Sequence, residues 1–171
     1  IGKTSLLRLL AGLTSSGISG ELRGSDGRPL TGRVAYMAQQ DLLLPWLKVL
    51  DNVMLGSRLR GERLDRQRAL DLLARVGLAD YALARPDTLS GGMRQRTALA
   101  RTLMEDRPVV LMDEPFSGLD ALTRLRLQAL AAELLAGRTV LLVTHDPLEA
   151  LRLGGPVLIM NGAPATLFAF P

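Results

Sequence analysis

A short apolar segment that ends on two adjacent carboxylates is the most informative chemical feature of this sequence. Residues 109–112 read VVLM, a pattern typical of a buried β-strand, and Asp113 and Glu114 follow directly. A carboxylate at a strand end is a suitable ligand for Mg²⁺, and a second one beside it can polarise a water molecule. Taken alone, the pattern is also compatible with a buried strand that ends in an acidic turn without a ligand.

A second feature is a glycine-rich helix start. Ser90, Gly91 and Gly92 precede MRQRTALARTLM, a run of good helix formers. The start of a helix offers free N–H groups and the positive end of the helix dipole, and glycine lets an anion approach closely. The pattern predicts a phosphate-binding helix start. The alternative is a helix that Ser90 caps without binding a ligand.

The first residues match the second half of a P-loop, G-x-x-x-x-G-K-[ST]. The residues that precede a leucine-rich helical run are Gly2, Lys3, Thr4 and Ser5. In a P-loop, backbone N–H groups cradle phosphates, the lysine reaches the β- and γ-phosphates, and the hydroxyl binds Mg²⁺. The alternative is simple helix capping by Thr4 or Ser5. Because the sequence begins at Ile1, inside this motif, we interpret the chain as truncated there.

Polar side chains follow two further predicted strands. Gln39 and Gln40 come just after one of them, and His145, the only histidine, comes just after another. By itself, a glutamine at a strand end is an ordinary turn residue, and a lone histidine is usually structural. Their shared position at strand ends gives them a second interpretation as ligand-binding residues.

The elements that must position these side chains alternate between strands and helices from residue 109 onward. This alternation predicts a parallel sheet with helices on its faces, and ligands bind at the carboxyl ends of such strands. We therefore expect Gln39, Asp113 and His145 to lie at one edge of the sheet. The strands are predicted at 33–37, 109–112, 139–144 and 156–160, and the main helices at 93–104 and 121–135.

Composition excludes several classes of protein. The 171 residues are 47% apolar and 4% aromatic, which suits an α/β domain with an aliphatic core. The absence of cysteine excludes disulfides and thiolate metal sites, and no apolar run approaches the ~18–20 residues needed to cross a bilayer. The net charge is +4, but the arginines alternate with acidic residues, which is typical of a solvated surface and not of a nucleic-acid binder.

The stretch from residue 89 to 120, LSGGMRQRTALARTLMEDRPVVLMDEPFSGLD, closely resembles the signature motif, Walker B strand and D-loop of ATP-binding-cassette (ABC) ATPases. The order and spacing of these pieces make the resemblance specific, and it extends over nearly the whole chain. The sequence departs from the family pattern at Met93, where glutamine is usual, and at Gly118, where alanine is common. Gly154, Gly155 and Pro156 stand where an aspartate usually precedes the next strand.

The resemblance implies an α/β fold: a P-loop NTPase core with a parallel sheet flanked by helices, a helical subdomain and a partial antiparallel β-subdomain. We expect a single nucleotide-binding domain over residues 1–171. Within it, 1–40 and 92–171 would form the core with the partial β-subdomain, which we expect in the turn-rich region 17–37. Residues 41–91 would form the helical subdomain, which ends in the signature motif.

The resemblance also implies ATP and Mg²⁺ as ligands. Lys3 would neutralise the β- and γ-phosphates, with Gly2 and Ser5 beside it in the phosphate-binding loop. Thr4 and Asp113 would hold Mg²⁺. Glu114 would be the general base for the attacking water.

Two further residues have implied catalytic roles. His145 corresponds to the switch histidine that contacts the γ-phosphate, and Gln39 to the Q-loop glutamine that contacts Mg²⁺ or the attacking water. The following LLPW favours Gln39 over Gln40 for this role. Trp46, the only tryptophan, is assigned equally well to the core or to a surface that docks a partner helix.

A second chain is implied by the signature motif. In this family Ser90, Gly91 and Gly92 close over ATP that is held by a second cassette, and Asp120 lies at the same interface. We therefore expect a head-to-tail homodimer that encloses two nucleotides. Residues 1–171 alone are expected to bind ATP weakly and to be poorly active.

The other implied partners are transmembrane permease subunits and, indirectly, a substrate-binding protein, with no nucleic acid. The expected location is the cytoplasmic face of the bacterial inner membrane, as a peripheral subunit. LLPW, PFSGLD and THDPLEAL most resemble cassettes of importers for nitrate, sulfonates, taurine or thiamine precursors. The transported solute is not encoded in these residues.

Two other functions remain to be weighed. A soluble ABC-type ATPase that acts on DNA or ribosomes is the main alternative, although no sustained heptads lie between residues 5 and 89. A small P-loop kinase is the other, and LSGGMRQR together with His145 argues against it.

Overall fold

The structure, a computed structural model, describes residues 2–14, 21–162 and 165–170. The helices are α1 (Lys3–Leu10), α2 (Val49–Val53), α3 (Leu55–Leu59), α4 (Arg66–Arg75), α5 (Gly91–Met104), α6 (Ala121–Leu134) and α7 (Pro147–Arg152). The strands are β1 (Val34–Met37), β2 (Val109–Asp113), β3 (Thr139–Val143), β4 (Leu158–Asn161) and β5 (Thr166–Ala169). None of the helices in the described ranges is long and apolar enough to span a membrane.

A three-stranded parallel sheet lies at the centre of the fold, in the order β1-β2-β3. The central strand β2 is apolar on both faces, as expected for a parallel strand that is covered on both sides. Met37 pairs with Met112, and Asp113 pairs with Val143, so the carboxyl ends of all three strands lie at one edge. The predicted α/β class and parallel sheet are confirmed.

The helices between β1 and β2 pack on one another through aliphatic side chains. Leu50 of α2, Leu73 of α4 and Leu99 of α5 are each at most 1% exposed. The same buried cluster continues to Ala35 of β1 and Val110 of β2. The helical segment and the sheet therefore share one core, and the predicted boundary between core and helical subdomain remains a prediction.

Helix α1 begins directly after a glycine in the left-handed conformation. Gly2 has φ 98°, a value that side-chain-bearing residues rarely adopt, and no side chain caps the helix. The alternative in which Thr4 or Ser5 caps this helix is therefore wrong, because both residues lie inside its first turn.

The region between α1 and β1 contains little regular structure in its described part. Residues 21–33 hold an isolated antiparallel bridge between Arg23 and Pro29. The strand predicted at 33–37 is observed as β1, and it pairs with β2 in the parallel sheet. The start of the turn-rich region, residues 15–20, lies outside the described residues.

The end of the chain forms an antiparallel hairpin of β4 and β5. The strand predicted at 156–160 is observed two residues later, because Pro156 lacks the backbone N–H that a strand pair requires. Strand β5 was not predicted, since the tail carries no motif. The hairpin reaches back to the start of α1, where a Cβ on Gly2 would lie 3.6 Å from the Met160 sulfur.

The buried Asn52 holds the loop between β1 and α2 in place. Its side chain is fully buried and accepts a hydrogen bond from the Leu44 N–H at 2.8 Å. It also donates to the carbonyl oxygens of Leu44, Leu47 and Lys48 at 3.1, 3.3 and 3.1 Å.

We predict that Asn52→Ala lowers the free energy of unfolding by about 1–3 kcal/mol, because it removes a hydrogen-bond partner from the partly buried backbone groups of Leu44 and Leu47. Urea denaturation followed by circular dichroism measures this change. Gln67→Ala, which removes an amide from an exposed position of α4, is the matched control and should change stability much less. Equal effects of the two substitutions would contradict the proposed role of Asn52.

Candidate functional site

The turn after β2 places Glu114 at the carboxyl edge of the sheet. The Glu114 N–H donates a hydrogen bond of 2.8 Å to the Val143 carbonyl oxygen, which extends the pairing of β2 and β3 by one residue. Glu114 has φ 49°, in the left-handed region that glutamate rarely occupies. Strained backbone of this kind clusters at functional sites.

The carboxylate of Glu114 contacts two of the other predicted site residues. His145 Nδ1 lies 3.0 Å from Glu114 Oε2, and Gln39 Nε2 donates to the same oxygen at 3.5 Å, near the limit of a hydrogen bond. The Glu114 side chain is 19% exposed, whereas that of His145 is 71% exposed. Among the described contacts, Gln39 and not Gln40 reaches this carboxylate.

Lys3 lies at the same edge of the sheet. Its ammonium nitrogen donates a hydrogen bond of 2.9 Å to the carbonyl oxygen of Thr144, the residue that follows β3. Thr4 and Ser5 continue the first turn of α1, half-buried and exposed respectively. The structure therefore gathers a lysine, two carboxylates, a glutamine and the only histidine around the strand ends.

Asp113 is the buried member of the carboxylate pair. It is 1% exposed, and its Oδ2 atom has no hydrogen-bond partner within the described residues. An unpartnered carboxylate oxygen is costly to bury and is satisfied by a cation. No cluster of three or more acidic or histidine side chains forms a metal site in the described part of the chain. A single carboxylate with a hydroxyl such as that of Thr4 fits Mg²⁺, which proteins bind through one or two carboxylates and substrate phosphates.

The glycine-rich helix start lies beside the turn that follows Glu114. Ser90 caps α5, because its Oγ accepts a hydrogen bond from the Met93 N–H at 3.3 Å. A Cβ on Gly92 would lie 3.4 Å from a methyl carbon of Leu119, an ordinary van der Waals distance, so the start of α5 packs against this turn. Ser90 and Gly91 are exposed, and no described contact joins them to Glu114 or His145.

Asp120 lies next to this contact and caps α6 by accepting a hydrogen bond from the Thr123 N–H at 3.0 Å. This bond, together with the Thr123 hydroxyl, holds the pKa of Asp120 below its usual value. Asp120 therefore carries a negative charge at neutral pH.

Two buried polar residues of the site were not predicted from the sequence. Gln95 donates to the Pro115 carbonyl oxygen at 3.1 Å, which joins α5 to the turn after Glu114. Glu149 accepts from the Thr144 hydroxyl at 2.5 Å and from Gln128 at 3.3 Å. The helical spacing of Gln95 with Ala98 and Leu99 was an available signal, because it places this amide on the buried face of α5.

The carboxyl edge of the parallel sheet carries a lysine suited to bind phosphate, a buried carboxylate suited to bind a metal ion and a second carboxylate suited to act as a base. This combination defines a nucleotide-binding α/β domain. A family profile described as ABC transporter matches residues 1–117. The chain belongs to the ABC transporter family and carries its ATPase domain.

Curated relatives are similar over most of the chain. An uncharacterized ABC transporter ATP-binding protein of Haemophilus influenzae is 45% identical over 163 residues, which cover 94% of this chain and 67% of the relative. The aliphatic sulfonates import ATP-binding protein SsuB 1 of Rhodococcus jostii is 48% identical over 165 residues, covering 94% and 64%. The chain thus spans about two thirds of the length of these relatives, 67% and 64%.

Solved structures give the same classification of the fold. The dimeric post-hydrolysis structure of the ATP-binding cassette MJ0796, bound to ADP and Pi, aligns with a TM-score of 0.76 at 32% identity. The alignment covers 92% of this chain and 75% of that one. A second structure, described as the dimer of the bacterial ABC transporter cassette MJ0796, aligns with a TM-score of 0.78 at 31% identity.

We predict that Asp113→Asn does not destabilise the protein in EDTA. The substitution keeps the side-chain shape and removes a buried carboxylate that has an unpartnered oxygen, so the melting temperature should rise by about 2–4 °C for each kcal/mol recovered. Scanning fluorimetry measures this change. Asp80→Asn, at an exposed position, is the control and should leave the melting temperature unchanged. A marked fall for Asp113→Asn alone would show that the carboxylate is held by favourable contacts.

Proposed function

We propose that this chain is the ATP-binding and ATP-hydrolysing subunit of a bacterial ABC importer. The observation that carries the proposal is the environment of Glu114. Its carboxylate follows the buried Asp113 and is contacted by His145 and Gln39, at the edge of the sheet where Lys3 begins α1. In-line hydrolysis of a γ-phosphate requires this combination of a cation, a metal ligand and a water-positioning carboxylate.

The nucleotide phosphates would bind at the start of α1. The first N–H groups of a helix have no partner within that helix, and the N–H groups of Gly2 to Ser5 lie at this start of α1. The Lys3 ammonium would exchange the Thr144 carbonyl oxygen for β- and γ-phosphate oxygens. Mg²⁺ would be held by the Thr4 hydroxyl and the free oxygen of Asp113, with Gln39 nearby. When bound, Mg²⁺ supplies positive charge that offsets the charge developing on the phosphates.

Glu114 is the proposed general base. Its carboxylate is only partly exposed, and it would accept a proton from the attacking water. His145 now contacts this carboxylate, and its exposed imidazole would turn to donate a hydrogen bond to the γ-phosphate. Gln39 would hold the water in line. Catalysis then consists mostly of positioning and charge stabilisation.

A second copy of the chain would complete each site. Ser90, Gly91 and Gly92 form an outward-facing helix start with free N–H groups, which suits a phosphate on a facing molecule. The ionised Asp120 lies beside them and would contact the partner at the same interface. The dimeric state described for both MJ0796 structures supports dimerisation, and we propose that the two chains are arranged head to tail.

The apolar loop after Gln39 is the proposed contact with transmembrane permease subunits. Trp46 is 67% exposed and Leu42 is 58% exposed, so the assignment of Trp46 to the core is wrong. Exposed apolar side chains grouped on one loop mark an interaction surface. The subunit would be peripheral, at the cytoplasmic face of the inner membrane. A substrate-binding protein would act through the permease.

The names of the relatives support import as the direction of transport. Several are named for aliphatic sulfonate import, including the protein from Rhodococcus jostii. We propose the same class of importer here. The solute itself would be selected by the permease and the binding protein, because the roles proposed for the described residues concern only nucleotide, Mg²⁺ and partner chains.

We predict that Glu114→Gln in the complete protein retains ATP binding and lowers kcat by about 10²–10⁴-fold, because an amide cannot accept the proton. Phosphate release measures turnover, and calorimetry measures binding. The variant should accumulate an ATP-bound dimer in size-exclusion chromatography. Glu133→Gln, the same change on the exposed face of α6, should keep normal turnover. Full activity of Glu114→Gln would remove Glu114 from its assigned role.

We predict that Ser90→Arg in the Glu114→Gln background abolishes the ATP-dependent dimer and leaves ATP binding to the monomer intact. The large cation would block the exposed helix start that is proposed to face the partner, and no described hydrogen bond joins Ser90 to residues 2–5. Light scattering with and without ATP measures the dimer. Ser25→Arg, at an exposed position outside the site, should still dimerise. A persistent dimer in the Ser90 variant would place the interface elsewhere.

A further inference from the structure

Two arginines of α5 hold the segment that follows Gln39. Arg101 donates hydrogen bonds to the carbonyl oxygens of Asp41 and Leu42, at 2.5 and 2.9 Å. Arg94 donates to the Asp41 carboxylate at 3.1 Å. The two arginines are about two helical turns apart, so they lie on one face of α5 and grip the same short segment.

The segment that the two arginines contact contains a strained backbone conformation. Leu42 has φ 47°, a left-handed conformation that is costly for leucine. The Asp41 carboxylate also accepts a hydrogen bond from the Leu43 N–H at 3.1 Å, which closes the turn. The planar guanidinium of Arg101 donates to two successive carbonyl oxygens from two nitrogens held in a fixed fork, whereas a lysine ammonium carries its three donors on one freely rotating nitrogen. Burial lowers the pKa of Arg101, and its bond to the Asp41 carbonyl oxygen is partly buried, whereas its bond to the Leu42 carbonyl oxygen is exposed.

Arg94 also connects this segment to the start of α5, the proposed phosphate-binding site. Arg94 also donates to the carbonyl oxygen of Leu89 at 2.8 Å, and Leu89 immediately precedes Ser90. One side chain therefore joins the residue before Ser90 to a residue two positions after Gln39. On the same helix, Gln95 contacts the turn that follows Glu114.

We infer that Arg94 and Arg101 are positioning residues that make the start of α5 and the segment 39–47 move as one body. Nucleotide that engages Ser90 is thereby sensed at Gln39 and at the exposed Trp46. The inference rests on the proposed function, because it requires ATP to bind at the helix start. It assigns a specific route between the nucleotide and the apolar loop.

The test uses Trp46, the only tryptophan in the sequence, as a fluorescence probe. The complete protein carries Glu114→Gln, so that ATP with Mg²⁺ is held without turnover, and Trp46→Phe supplies the background to subtract. We compare Arg101→Lys, Arg94→Lys and Asp41→Asn with Arg126→Lys. Arg126 is an exposed arginine of α6 and is the matched control. For each variant we measure the ATP affinity, the fraction of dimer and the change in Trp46 emission per dimer.

The expected result is a dimer in every variant with ATP affinity within about threefold of the parent, a difference below 0.7 kcal/mol. The change in Trp46 emission should fall by at least about half in Arg101→Lys, Arg94→Lys and Asp41→Asn. It should remain unchanged in Arg126→Lys. Arg101→Lys should lose more of it than Arg94→Lys, because Arg101 makes two hydrogen bonds to the segment after Gln39 and Arg94 makes only one.

Two outcomes would overturn the inference. One is an unchanged Trp46 response in folded Arg101→Lys and Asp41→Asn. The other is loss of dimer and response together in all three variants, which would show that the arginines only stabilise α5. Failure of the proposed function is separate: the parent protein itself would then show no ATP binding by calorimetry.

Discussion

The hydrogen bond between the Glu114 N–H and the Val143 carbonyl oxygen determines the geometry of the whole site. It extends the parallel ladder past the end of β2 and holds Glu114 in a left-handed conformation. The side chain is thereby turned towards the residues that follow β3, where His145 and the carbonyl oxygen bound by Lys3 are found. Side chains distant in sequence meet because the ends of three parallel strands coincide.

This arrangement has an energetic cost that the surrounding packing offsets. Asp113 is buried with one oxygen unpartnered, and Glu114 occupies a strained backbone conformation, so two unfavourable features lie in one turn. The strand that carries them is buried on both faces, and Val110 and Met112 are at most 1% exposed. Apolar burial of β2 stabilises the fold enough to maintain a preorganised, electrostatically unfavourable turn.

Sequence patterns sufficed for the parts of the structure that depend on local periodicity. The apolar runs predicted β2 and β3, and Ser90 marked the start of α5. The pairing of β4 with β5 was not predictable from a tail without a motif. The hydrogen bond from Arg101 to the Asp41 carbonyl oxygen was also missed, because it joins residues far apart in sequence and depends on the packed position of α5. Trp46 was ambiguous because an apolar loop can face either the core or solvent.

The left-handed backbone at Glu114 has a consequence for how this protein can evolve. Glycine adopts that conformation at little cost, and asparagine adopts it more readily than glutamate does, so the replacements that best relax the turn are those that delete the carboxylate. Selection for thermal robustness alone would favour such changes at this position, whereas selection for ATP hydrolysis would oppose them under the proposed role of Glu114 as general base. A lineage that no longer requires ATP hydrolysis is therefore expected to lose Glu114 early and to keep the fold.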